Sequence, residues 1–530
     1  MAMNAPSLPL PAPGPATLAV ERVDALFDAA FGQRLNPMRH LGALGFLFFW
    51  ICCASGIWIY VGFDTSATGA RESLAAMDRN DWPLGAFARA LHRYSADALV
   101  LVTALHLARE LSRRHYAAFR RFTWLTGLVV LVVMFAAGIG GYWLPWDQLA
   151  QWSLTATTEW FDALPVFDGA LTRNVIAGDQ VSDRFFSLLI FLHIGLPLAM
   201  LGAMWAHVQR VSPARTHPPG ALAWGSAATL ALLALAKPLS LMPPADLAFL
   251  PARIPLDWFY LFPHAAMAWL GPDGLWVALA AFLVTLAALP YATRVPRAPA
   301  ARVSLDNCNG CARCFADCPY DAVVMVPRTD ARPHPRQAQV DAALCAGCGI
   351  CTGACPSSTP FRRGETLTTG IDMPSAAIGA LRESLESRTA ALAGAPRVVV
   401  FGCRWGAPSR VLEDGSTAAI EFLCAAMAPP SFVEYALRAG ADGVLVAGCR
   451  DGDCEFRTGT AIVAERLAAA RMPALRASVP PARVRFVHAG RTDLGALRAH
   501  LEDFRAALAR LGPRAADHPP PPKRQERHHG

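Results

Sequence analysis

Two pairs of histidines set the strongest limit on how this chain can fold. His92 and His106 lie in one apolar stretch and His193 and His207 in another, and each pair is 14 residues apart. On an α-helix at about 100° per residue, the second histidine stands roughly 40° round from the first and about 21 Å along the axis. Each helix then shows two imidazoles on nearly one face, one towards each side of a membrane. Two such helices side by side can hold two stacked haems, each between one histidine from each helix. A single histidine in an apolar helix can equally serve an interhelical hydrogen bond; four at matched spacing favour haem.

Glycines repeat the same spacing. Gly42 and Gly56 are 14 apart in a preceding apolar stretch, as are Gly127 and Gly141 in a third. Glycine lets a bulky group approach the backbone, so these four are expected to clear space at the haem levels. Packing of small residues between helices is the alternative for any one of them.

The composition divides the chain. It is 54% hydrophobic and 17% charged with mean hydropathy +0.30, whereas a soluble protein of this length carries about a quarter charged residues. The long apolar runs fall in the first 295 residues, so a membrane part joined to a soluble part is expected. The net charge of +7 is spread over membrane flanks and the tail, which argues against nucleic-acid binding. Met1–Ala16 has no basic segment followed by an apolar core, so no signal peptide is expected. Thr17–Arg34 has the pattern of an amphipathic surface helix, with Leu18, Val23, Leu26, Phe27 and Phe31 as its apolar positions.

Six apolar stretches follow, near 41–62, 90–111, 122–144, 185–209, 221–241 and 270–292, each long enough for a hydrocarbon core of about 30 Å. Arg34 and Arg39 precede the first. Arg109, Arg113, Arg114, Arg120 and Arg121 lie between the second and third. Arg210 and Arg215 follow the fourth, and Arg294, Arg297 and Arg302 the sixth. The opposite loops carry fewer basic residues, so the positive-inside rule puts the N-terminus in the cytoplasm. An even number of spans returns the C-terminus to that side.

The stretches "LHRYSADALVLVTALHLARE", "TWLTGLVVLVVMFAAGIGGYWLPWDQ" and "RFFSLLIFLHIGLPLAMLGAMWAH" resemble the cytochrome b family of quinol-oxidising respiratory and photosynthetic complexes, over about residues 36–265. The resemblance implies that His92 and His193 hold the outer haem b, and His106 and His207 the inner one. It also implies that Arg89 and Arg109 face haem propionates, where a guanidinium suits a carboxylate. His40 stands where photosynthetic relatives carry a cysteine for an extra haem, so no third haem is expected. Cys52 and Cys53 read as packing residues. Pro255-Leu-Asp-Trp-Phe-Tyr260 falls where the family has a Pro-Glu-Trp-Tyr motif, which makes Asp257 a candidate for proton exchange with a quinone; retention for helix packing is the alternative. Only two apolar stretches follow the four-helix core and no Rieske-type pattern is visible, so the chain does not point to a complete Q-cycle.

Twelve of the 14 cysteines lie after residue 300. Eight form Cys308-x2-Cys311-x2-Cys314-x3-Cys318-Pro319 and Cys345-x2-Cys348-x2-Cys351-x3-Cys355-Pro356, the bacterial two-cluster ferredoxin pattern. In it the fourth cysteine of each run ligates the other cluster. One 4Fe–4S cluster is thus expected on Cys308, Cys311, Cys314 and Cys355, and a second on Cys345, Cys348, Cys351 and Cys318. Zinc is the alternative for close cysteines, and the doubled run with trailing Cys-Pro disfavours it. Pro333 and Pro335 mark a surface insertion between the runs.

Beyond a helical stretch near 374–393, β-rich runs begin at Arg397, Ala419, Gly443 and Val484, with helical patterns at 430–439 and 459–472 between them. Such alternation predicts a parallel sheet. Cys403, Cys424 and Cys449 fall at or just past strand ends, and Cys454 is five further on. Ligands of open parallel sheets gather there, so the four thiols can hold a 2Fe–2S cluster; buried inert cysteines are the alternative. "GADGVLVAGCRDGDCEF" and "VVVFGCRWG" resemble the iron–sulfur delta subunit of methyl-viologen-reducing hydrogenase over about 396–506. That family often has another cysteine at the position of Gly406.

The expected fold is multidomain: a helical membrane bundle, an α+β two-cluster ferredoxin domain and a C-terminal α/β domain. The boundaries are 1–35 for a disordered leader and surface helix, 36–215 for the di-haem bundle and 216–295 for two further spans. They continue with 300–372 for the ferredoxin, 395–512 for the delta-like domain and 513–530 for a disordered tail. The expected function is electron transfer between a cytosolic redox partner and the quinone pool. A membrane anchor and wire for a partner dehydrogenase or heterodisulfide-reductase-like flavoprotein, and a redox sensor, are the alternatives. Membrane lipid, quinone and a cytosolic flavoprotein or dehydrogenase subunit are the expected partners, with a homodimer by analogy and no nucleic acid. The expected location is a bacterial-type cytoplasmic membrane, multi-pass, with termini and iron–sulfur domains in the cytoplasm.

Overall fold

A computed structural model of the protein describes residues 14–79, 81–167, 169–176, 182–211, 214–249, 253–293, 297–330, 332–362 and 367–512. The expected tail from 513, the first part of the leader and Arg294 lie outside the described residues. The chain forms two compact units, one of Arg22–Gln209 with Ala214–Val295 and the other chiefly of the chain from Pro296.

The first unit is helical. Helix α1 (Pro15–Leu35) leads into α2 (Leu41–Gly62), α3 (Gly69–Asp78), α4 (Gly85–Ser112), α5 (Arg121–Gly141), α6 (Gln148–Asp162), α7 (Ala170–Ile176), α8 (Asp183–Val208), α9 (Gly220–Ala236) and α10 (Phe262–Ala292). All six apolar stretches are helices. Four helical segments are long and apolar enough to cross a membrane among the described residues: Leu41–Gly62, Ala118–Gly141, Asp183–Val208 and Phe262–Ala292. The expectation of about six spans is thus narrowed. α9 has 17 residues, and α4 has the length at 28 but carries Arg89, Arg93, Asp97, Arg109 and Glu110. The short helices α3, α6 and α7 fall between apolar stretches, where no periodic apolar run announces them.

Helix α1 adds a polar anchor that its apolar pattern does not announce. Of its expected apolar positions, Leu26 and Phe31 are more than half exposed, while Asp24 is fully buried. The carboxylate of Asp24 accepts from Arg109 Nη1 at 2.6 Å and from Arg113 Nη2 at 3.1 Å. Charge neutralisation, as much as apolar contact, fixes this end of α1.

α2 packs along α4, and α5 along α8, around a core that includes Leu44, Phe48, Leu99, Val102, Met134 and Met200. Trp124 Nε1 donates to Leu286 O at 2.7 Å and Trp276 Nε1 to Trp160 O at 2.7 Å. These bonds tie α10 to α5 and α6. Asp147 caps α6 by accepting from Ala150 N at 3.0 Å, and its other oxygen takes Met242 N at 3.1 Å.

The second unit begins with strand β1 (Arg302–Val303), α11 (Arg313–Ala316), β2 (Val323–Pro327), β3 (Arg336–Val340), α12 (Ile350–Ala354) and β4 (Ile371–Asp372). β1 pairs with β4, and β2 with β3, both antiparallel. Pro333 and Pro335 lie in the β2–β3 connection, where they interrupt no ladder. After α13 (Ile378–Ala390) come β5 (Val398–Cys403), β6 (Thr417–Phe422), α14 (Pro430–Arg438), β7 (Gly443–Gly448), α15 (Gly459–Leu467), β8 (Val484–His488) and α16 (Leu494–Leu511). The four strands make a parallel sheet in the order β6-β5-β7-β8, as the alternating pattern predicts. β5 and β7 are buried throughout, as expected of central parallel strands.

α16 lays Leu497, Leu501, Phe504 and Leu508, each at most 2% exposed, along one stripe at helical spacing. A Cβ at Gly443 of β7 would come within 2.8 Å of Phe504 Cζ, so the helix rides directly on the strand. Phe504→Ala is expected to cost about 3–5 kcal/mol, seen as a lower denaturation midpoint and faster proteolysis within 398–512 than in the native chain.

Candidate redox sites

Each histidine pair has its glycine pair opposite. α2 presents Gly42 and Gly56 to α4, and α5 presents Gly127 and Gly141 to α8. A Cβ built at Gly56 would lie 2.9 Å from His92 Cε1, at Gly141 2.8 Å from His193 Cε1, and at Gly127 3.0 Å from His207 Cε1. At Gly42 the distance to His106 Cε1 is 3.8 Å, so only this glycine leaves ordinary room. At Gly56, Gly127 and Gly141 the group that a side chain would strike is an imidazole ring.

At the first level, the rings of His92 and His193 face each other with centroids 6.2 Å apart and planes at 76°. His92 Nδ1 lies 2.9 Å from Cys52 O, and His193 Nδ1 lies 2.9 Å from Ala137 O. A carbonyl can only accept, so each Nδ1 carries the proton and each Nε2 keeps a lone pair. That is the tautomer and orientation a metal-binding imidazole needs. At the second level, Thr126 Oγ1 lies 3.3 Å from His207 Nδ1. The first level fits haem: His92 and His193 are paired imidazoles, oriented from behind, with Gly56 and Gly141 at their backs. Cys52 takes part through its backbone carbonyl, and Cys53 packs against the core.

The two arginines expected at propionates are buried and already paired with acids. Arg89 forms an ion pair with Asp78 at the end of α3, and Arg109 one with Asp24. His40 Nε2 lies 3.0 Å from Arg34 O.

Asp257 is engaged on both oxygens. Oδ1 accepts from Phe259 N at 2.7 Å and Tyr260 N at 3.1 Å, and Oδ2 is ion-paired with Arg93. Arg93 also holds Asp97 Oδ1 at 3.1 Å and lies 4.6 Å from the centre of the Tyr142 ring. Tyr260 OH donates to Ala96 O at 3.1 Å. Arg93 and Asp97 therefore join Asp257 beside His92. Sequence reasoning passed over both, though charged residues four apart in an apolar helix were the signal.

In the second unit, one cavity is lined by Cys308, Cys311, Cys314 and Cys355 and another by Cys318, Cys345, Cys348 and Cys351. These are the two quartets that ligand exchange between runs predicts. Burial pushes the Cys314 thiol up to about 12, with Cys355, Cys311 and Cys308 adding to the rise. The same desolvation raises Cys348 and Cys351. Thiols crowded together out of water suit a site whose thiolate charge is met by metal. Arg328 donates to Cys308 O and Leu305 O, each at 2.6 Å, and so holds the loop of the first quartet.

Cys403, Cys424, Cys449 and Cys454 are all buried and unbridged at the carboxyl end of the parallel sheet. Cys403 Sγ and Cys449 Sγ are 3.5 Å apart. A Cβ at Gly459 would overlap Cys424 Sγ and lie 3.3 Å from Cys454 Sγ, so the four sulfurs share one pocket. At Gly406 a Cβ would lie 2.9 Å from Ala489 O, and no fifth thiol fits without displacing that backbone.

Comparison with known proteins finds a match for each part of the chain that carries these sites. Residues 26–213 match the family model "Cytochrome b/b6/petB". The "Cytochrome b6" of Oltmannsiellopsis viridis is 32% identical over 177 residues, covering 33% of this chain and 80% of that protein. The chain belongs to the cytochrome b/b6 family. It is also similar to the "Menaquinol:cytochrome c reductase cytochrome b subunit" of Geobacillus thermodenitrificans, at 28% identity over 193 residues, 34% of this chain and 84% of that one. A solved chain titled "Hyperthermophilic respiratory Complex III" is 21% identical with a TM-score of 0.39, over 47% of this chain and 74% of that chain. Residues 307–359 match "4Fe-4S dicluster domain" and 398–512 match "Methyl-viologen-reducing hydrogenase, delta subunit". The cytochrome b domain implies haem and the dicluster domain implies iron–sulfur clusters, so this is a membrane electron-transfer protein.

Gly56→Val and Gly141→Val should each drive His92 or His193 off its seat. The expected result is a loss of b-type absorbance in purified protein, with the iron–sulfur content retained.

Proposed function

We propose that the protein moves electrons between a cytosolic redox partner and the membrane quinone pool. Two b-type haems, two 4Fe–4S clusters and one 2Fe–2S cluster, when bound, supply one-electron carriers. His92 with His193, and His106 with His207, hold the haems, and the two ferredoxin quartets hold the 4Fe–4S clusters. Cys403, Cys424, Cys449 and Cys454 hold the 2Fe–2S cluster. The observation that carries the proposal is that the facing imidazoles of His92 and His193, two cavities each lined by four cysteines and a third, buried cysteine quartet occur in one chain. Arg89 and Arg109 serve the propionates while sharing their charge with Asp78 and Asp24. The arginine-rich flanks support a cytoplasmic position for the described soluble unit. The partner is a flavoprotein or dehydrogenase subunit, and a homodimer is part of the same proposal.

The quinone chemistry rests on the group around Arg93. This guanidinium is shared between Asp97 and Asp257. With Asp97 keeping the charge, Asp257 can leave Arg93 and take a proton from a quinol beside His92. Arg93 then stabilises the remaining anionic oxygen, and Tyr142 fixes the guanidinium from its ring face.

One observation favours the wire alternative: every oxygen of Asp257 is already engaged. Adding a short-chain quinol to oxidised membranes separates the two. Prompt haem reduction is expected, slowed at least tenfold in Asp257→Asn with the haem spectrum unchanged. No haem response to quinol, together with full reduction through the clusters by a low-potential donor, would establish the wire and sink the quinone proposal.

A further inference from the structure

Arg466 of α15 is fully buried, which is costly for a guanidinium unless its charge is paired and hydrogen-bonded. Its Nη2 donates to Asp317 Oδ2 at 2.6 Å and its Nη1 to Ala426 O at 2.6 Å. Asp317 immediately precedes Cys318 of the second ferredoxin quartet. Ala426 lies two residues after Cys424 of the four-cysteine site. One side chain thus reaches from the chain segment of one ligand set to that of the other. Arg471 adds a second bond to Asp317, Nη1 to Oδ1 at 2.6 Å.

The backbones beneath this bond are packed without slack. A Cβ at Gly353 of α12 would overlap Ala426 O and lie 2.8 Å from Arg466 Nη1. At Gly349 it would lie 2.6 Å from Met427 Sδ. The point where a Cβ at Gly459 would overlap Cys424 Sγ lies 3.6 Å from Ile350 Cδ1, and Ile350 adjoins Cys351. The second quartet therefore faces the four-cysteine pocket across α12 and the 3-10 turn Ala425–Met427. The cavity of the first quartet is lined instead by residues such as Met325, Ala338, Gly370 and Ile371, and Gly349 lines only the second of the two.

We infer that Arg466 is a positioning residue that locks the second ferredoxin quartet and the four-cysteine site into one rigid redox body at a fixed short separation. This rests on the cofactor assignment proposed above. It goes beyond that assignment by naming which quartet neighbours the four-cysteine site and what fixes their distance. The lock has two legs. A lysine keeps the charge but has no planar fork to serve Asp317 and the Ala426 carbonyl together.

The test uses the full chain, purified anaerobically in detergent and reduced with dithionite, read by electron paramagnetic resonance. In the native protein the 2Fe–2S signal should be broadened and fast-relaxing from a paramagnetic neighbour. Arg466→Met should leave iron content unchanged and lose this broadening, and Arg466→Lys should restore it in part. If Arg466→Met does not accumulate, Asp317→Asn provides the same readout and should narrow the signal. A broadening unchanged in Arg466→Met, or in Asp317→Asn where that is the variant measured, overturns the inference. So does a narrow, slowly relaxing native 2Fe–2S signal alongside fully reduced 4Fe–4S clusters, and this result leaves the cofactor assignment standing. A native protein with no 2Fe–2S signal and no matching iron overturns both.

Discussion

The membrane unit depends on the close approach of glycine backbones to imidazole rings. At Gly56, Gly127 and Gly141 a single added carbon would fall 3.0 Å or less from a ring atom. The helix pairs α2–α4 and α5–α8 can close only because those carbons are absent. Closure in turn brings the carbonyls of Cys52 and Ala137 within hydrogen-bond reach of His92 and His193. Those bonds decide which ring nitrogen is free. The spacing of 14 residues is thus used twice, once to stack two levels along one face and once to put a seat behind each level.

Charge inside this unit is handled by pairing. α4 carries the load: Arg89 with Asp78, Arg93 with Asp97 and Asp257, Arg109 with Asp24. Each acid outside α4 comes from a different element, namely the end of α3, the loop before α10 and helix α1. Removing either member of such a pair leaves a charge without its partner, so each pair helps to hold its element against α4. The same logic gives α4 its low hydropathy and its position among more apolar helices.

Much of this was legible in the residues because ligand spacing is written in covalent order. The histidine and glycine repeats, both ferredoxin runs and the β-rich runs ending in Cys403 and Cys449 announce themselves within a few residues. What escaped depends on partners far apart in the chain. Arg93 reads as a stray charge until Asp257 is folded against it. Arg466 looks like an ordinary helix residue until it meets Asp317, 149 positions away. Helices α3, α6 and α7 lack long apolar runs, and their boundaries come from caps and tertiary bonds such as Asp147 to Ala150 and Met242. The burial of Asp24 in α1 was likewise invisible to amphipathic periodicity, because its partners Arg109 and Arg113 lie 85 and 89 positions away.

The two units solve the same problem with different materials. Electron carriers work at fixed, short separations, and fixed separation requires that the groups holding the ligands do not yield. In the membrane unit water is scarce and apolar contact between helices drives little association, so rigidity comes from small residues, backbone carbonyls and paired charge. In the second unit the sheet β6-β5-β7-β8 buries its central strands completely, and its carboxyl end gives Cys403 and Cys449 a firm footing. The short ferredoxin elements cannot do this alone: β1 and β4 have two residues each and α11 four. Packing α12 against Ala426 and Met427 gives those short elements the sheet domain as a foundation, and a glycine at 353 is what lets the two backbones meet.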